Sequence, residues 1–299
     1  MGLKVRRITV GDNERVLLLK EGRLKSILEP GEHFVWASGH VAEERHDVRK
    51  VEFRSEWADF VLRSRPALAE KHLTAVATRQ NEAAVVTVDG RVREVVPPSS
   101  RALYWKDAAD IRVRVFDIAR QPEVPPELVL PLTRLGRTPP VRHVLVEEGR
   151  SAVIFRNGCF YKSLEPGSYA FWNLAQEIQA TIVDLRLNSL EIQAQNVVTR
   201  DKVPVGLSTW AEYHVADPVR ALQSVTDFQA QLRNTLQLAV LRAFAPLSLE
   251  EALAQRGDID AMLTVLIREE MLPFGVNVRR ISITDLALPP GFREWSRAA

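Results

Sequence analysis

The residues that could do chemistry are few: one cysteine, six histidines and several carboxylate pairs. His40 and His46 frame the segment H-V-A-E-E-R-H-D together with Glu43, Glu44 and Asp47. Two imidazoles and a carboxylate could hold zinc, but they would have to converge from one short segment, and the spacing matches no established zinc signature. The segment reads instead as a solvated loop or strand edge. Cys159 is the sole cysteine, which permits no intramolecular disulfide and no cysteine-based metal site and favours a reducing compartment. Nucleophilic catalysis would need a nucleophile beside an oriented base, yet no G-x-S-x-G elbow occurs and Cys159 falls within an expected hairpin strand. Glycine loops of the form G-x-x-x-x-G-K-[ST] or G-x-G-x-x-G are also missing from the 14 glycines, so nothing supports phosphate binding. Glu43-Glu44, Glu147-Glu148 and Glu250-Glu251 read as solvated faces or helix-start charges. No catalytic, cofactor or metal residue is assigned, and the expectation is a protein that is not an enzyme. An enzyme would require a deep pocket where the cluster near His46 meets carboxylates from another segment.

Charge points weakly to one surface. Met1 to Lys25 holds seven basic residues, Lys4, Arg6 and Arg7 foremost, against three acids. Such a face could rest on anionic lipid, each basic residue near the surface contributing about 1 kcal/mol, or it could be a strand edge guarded by charge. Over the whole chain 40 Lys and Arg oppose 38 Asp and Glu, a net charge of +2, and the basic residues elsewhere are mixed with acids. Nucleic acid is therefore not an expected partner. Lys, Arg or Glu interrupts every apolar run, so no transmembrane segment is expected. The opening M-G-L-K-V-R-R-I-T-V lacks a signal-peptide core and carries Arg6 where a myristoylation signal needs Ser or Thr. The expected location is cytoplasmic. With 299 residues, 46% apolar and 26% charged, the chain has the composition of about two globular domains.

The elements that would carry these residues repeat. Val16–Trp36, Ala84–Trp105 and Ala152–Trp172 can be superposed by eye, their turn glycines Gly22, Gly90 and Gly158 lying 68 residues apart, with Pro30, Pro98 or Pro166 eight residues after each. A β-branched run meets Glu-Gly, Asp-Gly or Asn-Gly, the last two suited to a type I′ turn because both central residues need positive φ. Each copy is expected to be a β-hairpin whose Trp36, Trp105 or Trp172 anchors an apolar core. A further strand is expected after each tryptophan, at 48–53, 111–118 and 178–187. A helical insert near 55–73, broken at Pro66, and a proline-rich stretch at 122–140 separate the copies.

Beyond Glu177 the pattern changes. The run from Val203 to Val215 alternates, placing Val203, Val205, Leu207, Thr209, Ala211, Tyr213 and Val215 on one face of a strand. Asp217-Pro218 has N-cap and first-turn chemistry, Phe228, Leu232, Leu236, Val240 and Phe244 recur at i+4, and Ser248-Leu-Glu-Glu251 has capping-box spacing. Asp258 is expected to cap a helix to Leu272, and Gly275 to end it. The last strand shifts phase between Val278 and Ile281, which predicts a bulge near Arg279-Arg280.

These motifs resemble the band 7 (SPFH) superfamily of stomatin, prohibitin and flotillin, most nearly the stomatin-like slipins of bacteria. The resemblance rests on V-D-L-R with Asp184 and Arg186, V-T-R-D-K-V-P-V with Thr199 and Asp201, V-A-D-P with Asp217 and Pro218, S-L-E-E-A-L, and the terminal F-G-V-N-V-R-R-I-S-I-T-D-L-A-L-P with Gly275 and Asp285. It implies an α+β fold in which three β-hairpin repeats lead into a band 7 domain. The expected division is 1–121 for two β-rich repeats, 122–140 as linker, 141–290 as the band 7 domain and 291–299 as tail. It further implies a non-enzymatic scaffold that self-associates as a homo-oligomer and organises partner proteins at the inner membrane face, without a cofactor. The alternative is an adaptor of a membrane-bound protease. Typical stomatins carry an apolar membrane hairpin before this domain and a long assembly helix after it; neither pattern is present here.

Overall fold

A computed structural model describes residues 4–37, 39–106 and 108–287 of the chain. The chain divides into two compact units: residues 1–143 with 169–177, and residues 144–168 with 178–299.

The first unit opens with β1 (Lys4–Val10), β2 (Glu14–Lys20), β3 (Arg23–Leu28), β4 (Gly31–Ala37) and β5 (Val41–Asp47). Helices α1 (Ala58–Ser64) and α2 (Pro66–His72) follow, split where Pro66 removes an amide donor and starts a new first turn. The second copy is β6 (Leu73–Ala77), β7 (Glu82–Val88), β8 (Arg91–Val96), β9 (Arg101–Trp105) and β10 (Ile111–Asp117), and then comes α3 (Pro126–Thr133). The third comprises β11 (Val141–Val146), β12 (Arg150–Arg156), β13 (Cys159–Leu164), β14 (Gly167–Trp172) and β15 (Ile178–Asp184).

Each copy contains a three-stranded antiparallel sheet, in the orders β3-β2-β5, β8-β7-β10 and β13-β12-β15. At the three hairpin turns Glu21-Gly22, Asp89-Gly90 and Asn157-Gly158 all take positive φ between 50° and 79°, the geometry that a type I′ turn requires. The same β-bulge recurs in each hairpin, at Leu18/Leu19, Val86/Thr87 and Ile154/Phe155. The repeat therefore extends from sequence to backbone irregularity.

In the first unit each sheet has two occupied faces. The ribbon of β1 and β4 packs Ile8 and Val10 onto Val16, Leu18 and Leu28. The ribbon of β6 and β9 does the same with Val76 and Tyr104 on Ala84, Val86 and Val96. On the opposite face each sheet receives the tryptophan of the next copy: Trp105 joins Leu17, Leu24 and Ile27, and Trp172 joins Ala83 and Val85.

Three expectations are corrected here. Trp36 is not a core anchor: it is 62% exposed, whereas Trp105 and Trp172 each pack on the sheet of the copy before. The strand expected at 48–53 lies at Val41–Asp47, pairing with β2 from Lys20 to Glu14. Its polar residues hid it, since β5 is a sheet edge with little need for apolar alternation. The stretch 122–140 is folded: α3 buries Leu128, Val129 and Leu132 beside Trp172.

The second unit continues with β16 (Asn188–Val198), β17 (Pro204–Val215), α4 (Pro218–Gln223), α5 (Phe228–Phe244), α6 (Leu249–Ala254), α7 (Arg256–Met271) and β18 (Val276–Ala287). Strands β16, β17 and β18 form an antiparallel sheet with β17 in the centre. Burial alternates strictly along β17, with Val205, Leu207, Thr209, Ala211, Tyr213 and Val215 inward. Leu232, Leu236, Val240 and Phe244 of α5 and Ile259, Leu263, Ile267 and Met271 of α7 close that face. The expected bulge is present: Val278 pairs with Tyr213 and Arg280 with Glu212, leaving Arg279 extra. Helix α7 starts at Arg256, two residues ahead of the expected cap, so Asp258 sits in its first turn instead. Mixed sheet and helix make this an α+β protein. The tail 291–299 lies outside the described residues.

Candidate functional site

His46 is the first candidate to place. Its side chain is enclosed by rings, 5.2 Å from Phe53 and 5.6 Å from Trp105 between centroids, with Phe53 edge-on to Trp105 at 5.0 Å. Nε2 stands 2.9 Å from Oε1 of Glu44 on the same strand. His40 lies ahead of the strand, its backbone amide donating to Glu21 at 2.9 Å. Strand β5 thus separates the two histidines, and among the described residues no group of three His, Cys, Asp or Glu could hold a metal ion.

Beside His46 opens a cleft of about 1360 Å³ lined by Arg49, Arg54, Arg93, Glu52, Glu94 and Tyr104 among others. Its carboxylates are engaged. Arg49 grips Asp47 through Nε at 2.9 Å and a second nitrogen at 2.6 Å, which with the backbone amide of Arg49 holds the Asp47 carboxyl at about 2. Arg54 pairs with Glu52 at 2.7 Å. The Tyr104 hydroxyl donates to Glu94 at 2.6 Å, and its pKa is pushed up first by burial and then by that carboxylate. A general base needs a carboxylate or imidazole with a free lone pair facing a substrate, and these acids are committed to partners. The cleft is a polar saddle between strands.

The membrane-surface candidates are similarly occupied. Arg6 pairs with Glu43 at 2.8 Å, and Arg7 with Glu32. Lys4 opens β1, and its side chain is outside the described set.

In the second unit the resemblance-bearing residues act on the chain itself. The loop after β16 is clamped to the start of α6: Thr199 donates to Asp201, Asp201 accepts the Leu249 amide at 3.3 Å, and the Arg200 amide donates to the Leu247 carbonyl at 2.8 Å. The Thr199 hydroxyl leads in holding the Asp201 carboxyl below its ordinary value. Ser248 and Glu251 form a full capping box, the Ser248 amide donating to Glu251 at 2.8 Å and the Glu251 amide to the Ser248 hydroxyl at 3.3 Å, while Arg200 pairs with Glu251 at 3.0 Å.

Asp217 caps α4, accepting from Val219 at 3.1 Å and Arg220 at 3.0 Å, with Pro218 at the first helical position. The amides of Ala216 and Asp217 both donate to the Gly275 carbonyl, at 2.8 and 3.0 Å, and Gly275 is left-handed at φ 71°. Asp184 accepts from the Arg186 amide at 3.0 Å and its Nε at 2.9 Å, which holds the carboxyl well below the carboxylate range. Asp285 accepts from the neighbouring Leu286 amide at 2.8 Å.

A set missed in the sequence lies on α7. Asp260 accepts from the Ile283 amide at 3.0 Å and the Ser282 hydroxyl at 2.9 Å. Thr264 accepts from the Ile281 amide at 2.9 Å, Arg268 donates to the Val278 carbonyl at 2.8 Å, and Arg256 donates to the Ile283 carbonyl. These four residues recur at i+4, a polar stripe that covers the outer edge of β18 and blocks strand addition there. The spacing was legible as one helix face, but only the sheet order reveals its target.

The topology of the second unit and its terminal motifs thus define a domain whose polar residues fix its own loops and edges. Residues 144–296, a little over half of the chain, match the model of the SPFH domain / Band 7 family, and the chain belongs to that family. A stomatin homologue of Pyrococcus horikoshii is 30% identical over 150 residues, covering 50% of this chain and 56% of its own length. Stomatin-3 of Caenorhabditis elegans is 29% identical over 154 residues, 52% of this chain and 57% of its own, and mouse stomatin 26% over 145 residues, 48% and 51%. The chain spans between half and three-fifths of these relatives' length.

Proposed function

We propose that this protein is a non-enzymatic, stomatin-type scaffold that self-associates and organises partner proteins at the cytoplasmic face of a membrane. The observation that carries the proposal is the internal use of the polar residues: Thr199, Asp201, Ser248, Glu251, Asp217 and Asp184 each hold a loop, a cap or a turn. Family membership supports the same reading. Apolar side chains also stand outward on two helices: Leu238 and Leu241 on α5, and Met262, Val265 and Leu266 on α7. The cytoplasmic location and the peripheral mode belong to the proposal; among the described residues no helix is long and apolar enough to cross a membrane. A domain division is part of it as well, with the two β-repeats of 1–121 as an accessory to a band 7 domain over 141–290.

Light scattering on the purified chain tests the proposal. The expected result is a mass that rises above 33.7 kDa with concentration, and a strictly monomeric mass across the micromolar range would refute it. Co-purification of a membrane protease in stoichiometric amount would replace the scaffold with an adaptor.

A further inference from the structure

We infer that the N-terminal ribbon of β1 and β4 is a self-association face, which docks on the same face of a second copy. The inference rests on the scaffold reading above and names its surface.

The repeat supplies the comparison. On the outward face of the ribbon, Val5 lies opposite Trp36, and Phe34 follows on the same face. In the second copy the equivalent positions are Leu73, opposite Trp105, and Leu103; in the third they are Val141, Ala170 and Trp172. None of those six exceeds 7% exposure, because each trio sits in a core with neighbouring chain. Val5, Phe34 and Trp36 are 49%, 64% and 62% exposed. A surface of one design is covered twice within the chain and left open once.

Among the described residues, Trp105 fills the sheet of the first copy and Trp172 that of the second, while the third is closed in part, Val183 meeting Val215 and Ala221 and Phe160 staying 44% exposed at the position of Leu24. On another copy the ribbon itself presents a matching apolar trio. Its charges suit that pairing: the open face carries Arg7 and Glu32, one of each sign. A two-fold axis along the ribbon sets Val5 of each copy on Trp36 of the other and places Arg7 over Phe34 and beside Glu32, an isologous contact with a cation over an aromatic face. An anionic bilayer fits less well, since Glu32 faces it and Arg6 and Arg7 are already matched by Glu43 and Glu32.

The trio would bury about 300–400 Å² per copy, given the 150–250 Å² that each aromatic side chain can bury. That is roughly half of what a standard stable interface uses per partner, the size class of weak, transient contacts.

Sedimentation velocity on the full chain from about 1 to 200 μM tests it, comparing wild type with Trp36→Lys, Phe34→Asp and, as a control on the exposed side of α3, Leu130→Lys. Circular dichroism on each variant verifies the fold. Wild type and the Leu130 control should pass from monomer to dimer, while the two ribbon variants shift the midpoint at least tenfold upward. Association unchanged in Trp36→Lys would overturn this face and leave the scaffold reading standing. A monomer at every concentration would overturn both. Flotation with vesicles containing about 30% phosphatidylserine adds the remaining arm: wild-type binding that Trp36→Lys abolishes, with no dimer in solution, would assign the ribbon to lipid and refute the pairing.

Discussion

Replacing Gly275 by alanine separates two costs that usually coincide. Gly275 ends the turn before β18 at φ 71°, and an added Cβ would stand 2.3 Å from the Asp217 carbonyl oxygen, 3.0 Å from Arg220 Cβ and 3.2 Å from the Ala221 amide nitrogen. Backbone atoms cannot yield as a flexible side chain would. The left-handed conformation alone costs a residue with a Cβ about 1–2 kcal/mol. Relieving the clash means drawing residue 275 away from the Asp217 carbonyl, and with it the residue 275 carbonyl that accepts the Ala216 and Asp217 amides, at about 1 kcal/mol for each hydrogen bond lost. The sum is about 3–4 kcal/mol. Gly158→Ala is the matched control in the same unit: φ is 79°, yet nothing lies within 4 Å of the added Cβ, so only the conformational cost of about 1–2 kcal/mol applies. Urea unfolding followed by circular dichroism gives both values. Gly275→Ala should lose about twice what Gly158→Ala loses, and Tm should fall by roughly 6–16 °C against 2–8 °C at 2–4 °C per kcal/mol. Equal losses would show that the Asp217 turn does not press on Gly275, and the proposed joint between α4 and β18 would fail.

Trp105→Ala should destabilise by about 3–5 kcal/mol and Trp36→Ala by no more than about 0.5 kcal/mol in urea titrations, because one tryptophan is enclosed and its repeat-mate is open. Above pH 10 the folded protein keeps Tyr104 neutral while the unfolded chain ionises it, so stability is complete below pH 10 and declines as pH rises further; Tyr104→Phe should flatten that decline in a Tm-against-pH series. Asp201 has the opposite sign: its lowered pKa stabilises the fold above about pH 4 and is lost as pH falls through the folded value, so Asp201→Asn should be less stable at neutral pH and less sensitive to acid. Asp217→Ala removes the cap on α4 and should cost about 1 kcal/mol by the same titration.

Much of this fold is legible in local chemistry. Positive-φ pairs at Asp89-Gly90 and Asn157-Gly158 need particular residues, so the hairpins declare themselves, and the strict alternation from Val203 to Val215 fixes which face of β17 is buried. The phase slip at Arg279 marks the bulge for the same reason. What stays hidden depends on partners distant in the chain. The polar strand Val41–Asp47 exists because β2 needs a neighbour, and Trp36 is open while Trp105 and Trp172 are enclosed by sheets distant in the chain. The α7 stripe from Arg256 to Arg268 has helical spacing in the sequence, but its purpose appears only when β18 is seen at the sheet edge. Of the candidate residues, Asp184, Thr199, Asp201 and Asp217 were identifiable by motif; that they brace loops and caps follows only from their hydrogen bonds.

The most direct measurement of scaffold formation through the β-repeats is photo-cross-linking from position 34. A benzophenone amino acid placed at Phe34 in the purified chain, irradiated at about 100 μM and mapped by mass spectrometry, should join residue 34 to residues 4–10 and 31–37 of a second copy. Cross-links confined to the α5 and α7 helices of the second copy, or a chain that remains uncross-linked at that concentration, would contradict it.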